Sequence, residues 1–294
     1  MASGSSFSRR TLLKALAFAA TSPWRAALAD EESLSFVVLS DTHIGRPGDA
    51  ARLQGLLPLL ARERPAFLLH AGDVVDGTVA ARRQVEEAQK LLARLPAKVL
   101  LVPGNHDVGM SRGPALLAAW RKAFGPTEST IRLRGWRAIG FNSSALTRAC
   151  GDRAQRTAVL DFLARELAGA KESNERVALL HHLPEVIVPY RGQTQAPWAE
   201  EAVTRFSALL TEFPPTVRFA GHWHVGVRVP GVAGSLTVAP AVSNMGQVPS
   251  GYLRCTWHPS GRLEVEQIIV DSAGARELPA MVRLFALPRG APPA

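Results

Sequence analysis

Residues 34–45 read LSFVVLSDTHIG and carry the clearest local signal of the fold. The first six residues, Leu34–Leu39, form a short apolar run of β-prone residues, and the run ends in Ser40-Asp41-Thr42-His43. A short apolar run bounded by polar turn residues is typical of a strand buried inside a sheet. We therefore predict a buried strand whose carboxyl end carries Asp41 and His43.

Four further apolar runs end in the same way, each in a polar segment that contains Asp, Asn or His. The runs and their endings are 66–69 with His70-Ala71-Gly72-Asp73-Val74-Val75-Asp76, 98–102 with Pro103-Gly104-Asn105-His106-Asp107, 176–180 with His181-His182-Leu183-Pro184, and 216–220 with Gly221-His222-Trp223-His224. Because ligands of parallel sheets bind beyond the carboxyl ends of the strands, we expect the five endings to converge on one edge of one sheet.

Helical patterns separate the strand patterns, and together they predict an α/β fold with a mostly parallel central sheet. The predicted helices are 49–63, 80–94, 113–123, 156–170 and 198–212. The last third of the chain changes character and shows strand patterns only, at 225–229, 235–239, 252–257 and 262–270. These strands predict a second, largely antiparallel sheet packed on the first.

The amino terminus resembles an export signal. Paired arginines, Arg9 and Arg10, are followed by two leucines and a lysine, then by a short, mildly apolar stretch and Ala27-Leu28-Ala29. This pattern resembles a twin-arginine signal peptide over residues 1–29, cleaved near Ala29-Asp30. It predicts the twin-arginine export machinery as a partner and a periplasmic or secreted mature protein. An amphipathic amino-terminal helix of the domain is the alternative reading.

The rest of the chain predicts one large domain over residues 30–287 and a disordered tail over 288–294. No apolar run approaches the roughly 18 residues that span a bilayer, so no membrane span is expected in the mature chain. The net charge is +9, of which the first 29 residues contribute four positive charges, so 9 − 4 = +5 remains. The basic residues are scattered and form no stripe with aromatic residues, so we expect no nucleic acid partner.

The strand endings supply a set of metal ligands, namely two carboxylates, one amide and four imidazoles. They are Asp41, His43, Asp73, Asn105, His181, His222 and His224. Oxygen and imidazole donors without thiolate suit transition metals such as Mn, Fe or Zn. Seven donors are too many for one tetrahedral ion, but two ions can share them if one Asp bridges. Two neighbouring ions form the clamp used for in-line displacement at phosphorus.

The ordered series Asp-x-His, Gly-Asp-x-x-Asp, Gly-Asn-His-Asp, strand-terminal His and Gly-His-x-His resembles the calcineurin-like metallophosphoesterase superfamily. Length and motif order are similar to its class III cyclic nucleotide phosphodiesterase-like members. The resemblance implies a four-layer αββα sandwich of two mixed β-sheets, with the metal site at the carboxyl ends of the strands. It implies a cofactor of two divalent or trivalent transition-metal ions.

The resemblance also implies a role for each ligand. Asp41, His43 and His224 resemble the ligands of the first metal, Asp73 the bridging carboxylate, and Asn105, His181 and His222 the ligands of the second. His106 resembles the catalytic histidine that stabilises phosphoryl oxygens and protonates the leaving alkoxide. Asp107 is expected to orient a histidine, and Asp76 to stabilise the loop that carries Asp73.

The fourth motif departs from the family's His-His-Pro, because Leu183 separates the two histidines from Pro184. Counting from the strand makes His181 the ligand, which we favour, with His182 beside it as a supporting residue. Counting back from the proline makes His182 the ligand. Residues expected at the substrate rim are Arg46, Tyr190 and Arg191. A disulfide between Cys150 and Cys255 is left open by the sequence.

These features predict an exported dinuclear-metal phosphoesterase that hydrolyses a small phosphate diester or monoester by a metal-activated hydroxide. Two alternatives stay open. One is a cyclic nucleotide phosphodiesterase specifically, and the other is a non-catalytic metal-binding or scaffold protein of the same fold.

Overall fold

The computed structural model describes residues 33–109, 114–186, 197–244, 249–278 and 282–287. The predicted signal peptide, the predicted tail and the rim residues Tyr190 and Arg191 lie outside these residues. No helix within the described ranges is both long enough and apolar enough to cross a membrane. Cys150 and Cys255 are both buried and free.

The described chain alternates strands and helices through its first two thirds and then forms strands alone. The strands are β1 (Leu34–Leu39), β2 (Leu68–His70), β3 (Val99–Leu101), β4 (Ser129–Leu133), β5 (Trp136–Gly140), β6 (Arg176–Leu180), β7 (Val217–Ala220), β8 (Val227–Gly231), β9 (Gly234–Val238), β10 (Gly251–Trp257), β11 (Leu263–Ile269) and β12 (Val282–Leu287). The helices are α1 (Asp49–Arg62), α2 (Arg82–Leu92), α3 (Asn105–Val108), α4 (Pro114–Phe124), α5 (Arg153–Glu172) and α6 (Glu200–Glu212), with a 3₁₀ turn at Ser143–Leu146.

The strands form two six-stranded mixed sheets. The first has the order β12-β11-β10-β1-β2-β3, and the second has the order β4-β5-β6-β7-β9-β8. In the first sheet β1, β2 and β3 are parallel, whereas β10 to β12 run antiparallel to their neighbours. In the second sheet β5, β6, β7 and β9 are parallel, and β4 and β8 are antiparallel. The predicted α/β fold with two mixed sheets is confirmed.

A fully buried aromatic core joins the two sheets. Phe36 of β1 lies 5.5 Å from Trp136 and 6.1 Å from Phe219, measured between ring centroids, and both partners belong to the second sheet. On the outer face of the first sheet, α1, α2 and α4 cover a second apolar cluster. On the outer face of the second sheet, α5 and α6 cover a third. The layers are therefore helix, sheet, sheet, helix.

The structure corrects the expectation that all five motif strands lie in one sheet. The strands β1, β2 and β3 belong to the first sheet, while β6 and β7 belong to the second. The last third also divides, since β8 and β9 extend the second sheet and β10 to β12 extend the first. Strands that pair can be far apart in the sequence, as Phe36 and Cys255 are. A local apolar pattern predicts a strand but not its partner, because pairing depends on packing against neighbouring strands.

Sequence reasoning missed the β4–β5 hairpin because charged residues interrupt its apolar pattern. Arg137 of β5 is 2% exposed, and it is neutralised by Glu166 of helix α5 and by Glu175, which lies between α5 and β6. The pairing satisfies a guanidinium that would otherwise be costly to bury. The hairpin matters for the site because the carboxyl end of β5 lies beside that of β6.

Candidate metal centre

The five polar endings converge where the two sheets adjoin. Backbone hydrogen bonds tie the loop after β1 to the loop after β2, because the amides of Asp41 and His43 donate to the carbonyls of Gly72 and Asp73 at 2.9 and 3.0 Å. The Gly221 amide likewise donates to the His182 carbonyl at 3.1 Å and joins the loops after β6 and β7. The convergence expected from the sequence is therefore present, although two sheets supply it.

The first ligand cluster comprises Asp41, His43, Asp73 and His224, with one donor atom of each within 4.8 Å of the others. Nε2 of His224 lies 3.2 Å from Oδ1 of Asp41 and 3.4 Å from Nε2 of His43. Nε2 of His43 lies 3.8 Å from Oδ2 of Asp73. Two carboxylate oxygens and two imidazole nitrogens thus face a common point.

The second cluster shares Asp73 with the first and adds His182 and His222. Nε2 of His182 lies 3.3 Å from Oδ2 of Asp73 and 2.9 Å from Oδ1 of Asn105. The other ring nitrogen of His182 donates to the carbonyl of Ala71 at 2.7 Å. That bond orients the ring so that Nε2 faces the cluster, which is the usual way a protein holds an imidazole ligand.

The preference for His181 as the fourth-motif ligand is wrong, since the structure brings His182 to the cluster instead. His181 is fully buried on the helix side of β6, where it stacks on Phe141 and places Nε2 3.7 Å from Glu185. Alternation along the strand explains the difference. Leu180 and His182 point towards the facing sheet, whereas Leu179 and His181 point towards the helices. Both faces of β6 are apolar, so the sequence did not show which of the two faces points towards the metal cluster.

The two buried carboxyl groups of the cluster stay ionised, which favours the binding of cations. Burial alone would raise the pKa of the Asp41 carboxyl, but the neighbouring imidazoles, His224 above all, hold that pKa well below its usual range. Burial is likewise outweighed at Asp73, where the charge of His182 lowers the pKa to about 2. Both carboxylates are at most 1% exposed, so their charges need positive partners close by.

The imidazoles of the cluster differ in the direction in which their pKa is shifted. Burial lowers the pKa of His43 and that of His222 to about 4, so both rings are neutral at pH 7 and have a lone pair for a metal. Burial opposes the charged form of His182 as well, but Asp73 raises its pKa to about 9. Without an ion, a proton on His182 supplies the positive charge that Asp73 attracts. The donor set therefore fits two transition-metal ions sharing Asp73.

Backbone strain is concentrated at these residues. Nine non-glycine residues have positive φ among those the structure describes, and five of them are candidate ligands. The five are Asp41 (52°), His43 (44°), Asp73 (52°), His222 (73°) and His224 (61°). Non-glycine residues adopt such angles only where the surrounding structure enforces them, and such residues cluster at functional sites.

Glycines next to the ligands permit the close approach of the loops. A Cβ atom at Gly104 would lie 2.1 Å from Oδ1 of Asp73, and one at Gly221 would lie 2.1 Å from Oγ of Ser40. Both distances are far below van der Waals contact. The glycines of the Gly-Asn and Gly-His motifs are thus required by space around the carboxylates.

Two supporting carboxylates have roles opposite to those expected. Asp107 was expected to orient a histidine, but its carboxylate accepts the backbone amides of Val74, Val75 and Gly104 at 3.1, 3.0 and 2.8 Å. It therefore holds the loop that carries Asp73. Burial and the charge of Asp73 raise the pKa of Asp107 to about 7.

Asp76, expected to hold that loop, instead faces the histidines. Its Oδ1 lies 3.4 Å from Nδ1 of His43, and its backbone carbonyl accepts from Nδ1 of His106 at 2.6 Å. Nε of Arg46, a predicted rim residue, lies 2.5 Å from the Asp76 carboxylate. Because Nδ1 of His106 donates to a carbonyl, Nε2 is the ring nitrogen available to a ligand. His106 packs edge-on against His43, with 4.7 Å between ring centroids, and is 36% exposed.

Ser143 supports the site and was not identified from the sequence. Its hydroxyl oxygen accepts the backbone amides of His182 and Leu183 at 3.2 and 2.8 Å, and so holds the turn that presents His182. Ser143 follows β5 at its carboxyl end. The same polar-ending signal was present there, but the strand before it went unrecognised.

Comparisons with known proteins agree with this geometry. A family model described as calcineurin-like phosphoesterase matches residues 34–226. The chain is 29% identical over 189 residues to a glycerophosphodiester phosphodiesterase, GpdQ, from Enterobacter lignolyticus, and the match covers 63% of this chain and 63% of that protein. The chain thus spans less than two thirds of the length of this curated relative.

Solved structures share the fold. A dimetal phosphatase from Danio rerio superposes with a TM-score of 0.62 at 16% identity, over 86% of this chain and 99% of that one. GAP50, described as the anchor in the inner membrane complex of Plasmodium, superposes with a TM-score of 0.62 at 11% identity, over 88% and 90% of the two chains. At these identities the likeness concerns the fold alone.

The placement of the two adjacent histidines yields a direct test. We expect His182→Ala to lose one of two bound metals, because Nε2 of His182 faces Asp73 and Asn105. We expect His181→Ala to keep both metals but to lower the free energy of unfolding, because it removes a buried ring that packs against Phe141 and Trp198. Elemental analysis of the purified variants and urea unfolding measure the two effects. Equal metal loss in both variants would contradict the assignment.

Proposed function

The chain belongs to the calcineurin-like phosphoesterase family, and from that membership we propose that it hydrolyses a phosphate ester at a pair of transition-metal ions. The observation that carries the proposal is that two ligand clusters share one carboxylate, Asp73. A shared carboxylate keeps two ions a few ångströms apart, the arrangement that suits in-line displacement at phosphorus.

The first ion would be held by Asp41, His43 and His224, the second by Asn105, His182 and His222, and Asp73 would bridge them. When bound, two such ions polarise phosphoryl oxygens and lower the pKa of a nucleophilic water. Mn, Fe and Zn all suit these donors, and the supply of metal decides among them. The low exposure of the two carboxylates keeps bulk water away from the charges that hold the ions.

We assign His106 a role on the substrate, although it also lies in a group with His43 and Asp76 that could hold a cation. Its Nδ1 is engaged by the carbonyl of Asp76, so Nε2 faces outward from a partly exposed ring. A proton on Nε2 would stabilise the phosphoryl oxygens and pass to the leaving alkoxide. Asp76 holds this ring and pairs with Arg46, which lies at the rim of the same site. Both residues therefore position His106.

A small phosphate diester is the substrate class that we favour. The curated relative is described as a glycerophosphodiester phosphodiesterase, which supports diester hydrolysis without naming the ester for this chain. A phosphate monoester is the second candidate. A cyclic nucleotide role is less suited to an exported protein, because such nucleotides are made in the cytoplasm.

A scaffold role is the competing proposal from a different class. The fold does not exclude it, since the neighbour GAP50 is described as an anchor. A scaffold has no need of a complete donor set, however, and here all seven ligand positions and His106 are present together. This completeness supports the enzyme over the scaffold.

Export of the protein from the cytoplasm is also part of the proposal. The amino-terminal pattern around Arg9 and Arg10 supports a twin-arginine signal cleaved near Ala29-Asp30. The twin-arginine route carries folded proteins, so the metal pair would be acquired before transport. The mature enzyme would then act in the periplasm or outside the cell.

The bridging carboxylate provides the main test. We expect Asp73→Ala to lose both metals and most activity, because each cluster loses a ligand and the ions lose their bridge. The readouts are elemental analysis and hydrolysis of bis-p-nitrophenyl phosphate and p-nitrophenyl phosphate with added Mn(II). Asp161→Ala, which removes an exposed carboxylate of α5, is the matched control and should behave as wild type. Absence of turnover in a wild-type protein that holds two metals would favour the scaffold.

His106 can be separated from the metals. We expect His106→Ala to retain two metals and to lower kcat by about 100-fold, the scale typical of a lost acid–base or oxyanion group. Steady-state kinetics with the better of the two esters, alongside metal analysis, measures this. An unchanged kcat would remove His106 from the mechanism.

The export signal can be tested in cells. We expect a mature amino terminus at Asp30 and accumulation of uncleaved precursor when Arg9 and Arg10 are both replaced by Lys. Fractionation with amino-terminal sequencing reads both results. An intact amino terminus on the wild-type protein would overturn the signal and favour the helix alternative.

A further inference from the structure

A groove that no part of the proposed mechanism uses lies between α4 and α5. It encloses a cavity of about 450 Å³, in the range of small-molecule sites. A second, smaller cavity shares Leu117, Asn142, Ala145 and Gln155 with it and extends to Val108 and Gly109. The two cavities therefore adjoin, and together they are called the groove below.

The inner end of this groove lies beside the metal centre. Val108 is the last residue of α3, whose first two residues are Asn105 and His106. At 1.5 Å of rise per residue, Val108 is about 5 Å along the helix axis from Asn105. Asn142 and Ser144 flank Ser143, which holds the turn of His182. The groove thus begins at the same edge of the second sheet as the ligand cluster.

Two buried polar side chains, Asn142 and Ser144, line the inner end. Oγ of Ser144 is buried and has no hydrogen-bond partner, although its residue is 2% exposed. Asn142 is 3% exposed, and its Oδ1 accepts the Ser144 amide. Buried polar groups normally find partners, so the Ser144 hydroxyl predicts a polar ligand atom at this end of the groove.

The middle and the outer rim have a different chemistry. Leu117, Val159 and Phe162 form an apolar wall. Beyond it lie two guanidinium groups, on Arg121 and Arg165.

The rim retains a positive charge. Arg165 is exposed and has no hydrogen bond or ion pair with a described residue, and Arg121 contacts Oγ1 of Thr127 at 3.4 Å. Glu128 is the one acidic group of the rim, and it accepts the Thr127 hydroxyl. Two cations and one anion leave one net positive charge.

We infer that this groove binds the leaving group of the substrate, an alcohol with a short apolar or aromatic body and a negatively charged far end. The ester oxygen would lie at the inner end, near His106, the body against Leu117 and Phe162, and the charge at Arg165 and Arg121. The inference rests on the proposed phosphoesterase activity, because it assigns a substrate class to that site.

Two esters that differ only in charge test the inference. The substrates are bis(4-carboxyphenyl) phosphate and bis(4-carbamoylphenyl) phosphate, which have nearly the same shape, hydrolysed by the Mn(II)-loaded mature chain. We expect Arg165→Gln and Arg121→Gln each to lower kcat/KM for the carboxylate ester about three- to tenfold, as expected for a lost charge-assisted contact at a partly exposed site. The carbamoyl ester should be unaffected.

The control is Arg153→Gln, which removes an exposed charge from the same helix outside the groove. It should leave the ratio of the two kcat/KM values unchanged. Because each variant is compared with itself on two esters, altered folding or metal content cancels from the ratio. A ratio that does not respond to Arg165→Gln and Arg121→Gln would overturn the inference.

A binding measurement separates this inference from the proposed function. Ligand-observed NMR with 4-hydroxybenzoate, the alcohol released from the first ester, needs no turnover. Binding that is weakened by Arg165→Gln supports the groove even if no ester is hydrolysed, in which case the proposed function alone fails. Hydrolysis of both esters without such binding overturns the groove and leaves the proposed function standing.

Discussion

The structure depends on the burial of two carboxylates, Asp41 and Asp73, where two β-sheets meet. Each is at most 1% exposed, and together they face four imidazole rings within a few ångströms. Buried charge without compensation is among the most costly features a protein can carry. The histidines compensate in part, and in the absence of an ion the charge of Asp73 raises the pKa of His182 to about 9. A pair of cations would complete the compensation, and this requirement explains much of the surrounding architecture.

That architecture keeps the loops after β1, β2 and β7 in backbone conformations that they would not adopt alone. Five ligand residues have left-handed φ angles, and the neighbouring glycines leave no room for a side chain. Hydrogen bonds from outside the ligand set hold this strain, such as those that Asp107 accepts from the amides of Val74 and Val75, next to Asp73. Beneath the loops, the buried contacts of Phe36 with Trp136 and Phe219 lock the two sheets together. Rigid sheets thereby support strained loops, which is how active sites store strain.

The short helix α3 connects the ligand cluster to the groove between α4 and α5. Its first residues, Asn105 and His106, face the metal cluster, and its last residue, Val108, begins the groove between α4 and α5. Asp107, in the same turn, fixes the loop that carries Asp73. This one turn of helix therefore contacts the proposed bridging residue Asp73, carries the proposed acid His106 and borders the proposed leaving-group site. A shift of the turn would disturb all three at once.

The α/β class, the types of donor and nearly all of their positions follow from local patterns, because each apolar run ends in its own polar motif and the carboxyl ends of parallel strands meet. The sheet that each strand joins depends on long-range pairing, since β10 pairs with β1 across more than two hundred residues. The tertiary structure also decided that His182 rather than His181 faces Asp73, because both faces of β6 are buried and apolar and the strand's alternation is set by its neighbours. The exchanged roles of Asp76 and Asp107, and the groove itself, likewise arise from loops packed against distant elements. Local patterns indicate which functional groups a segment carries, whereas long-range packing determines which groups of other segments lie next to them.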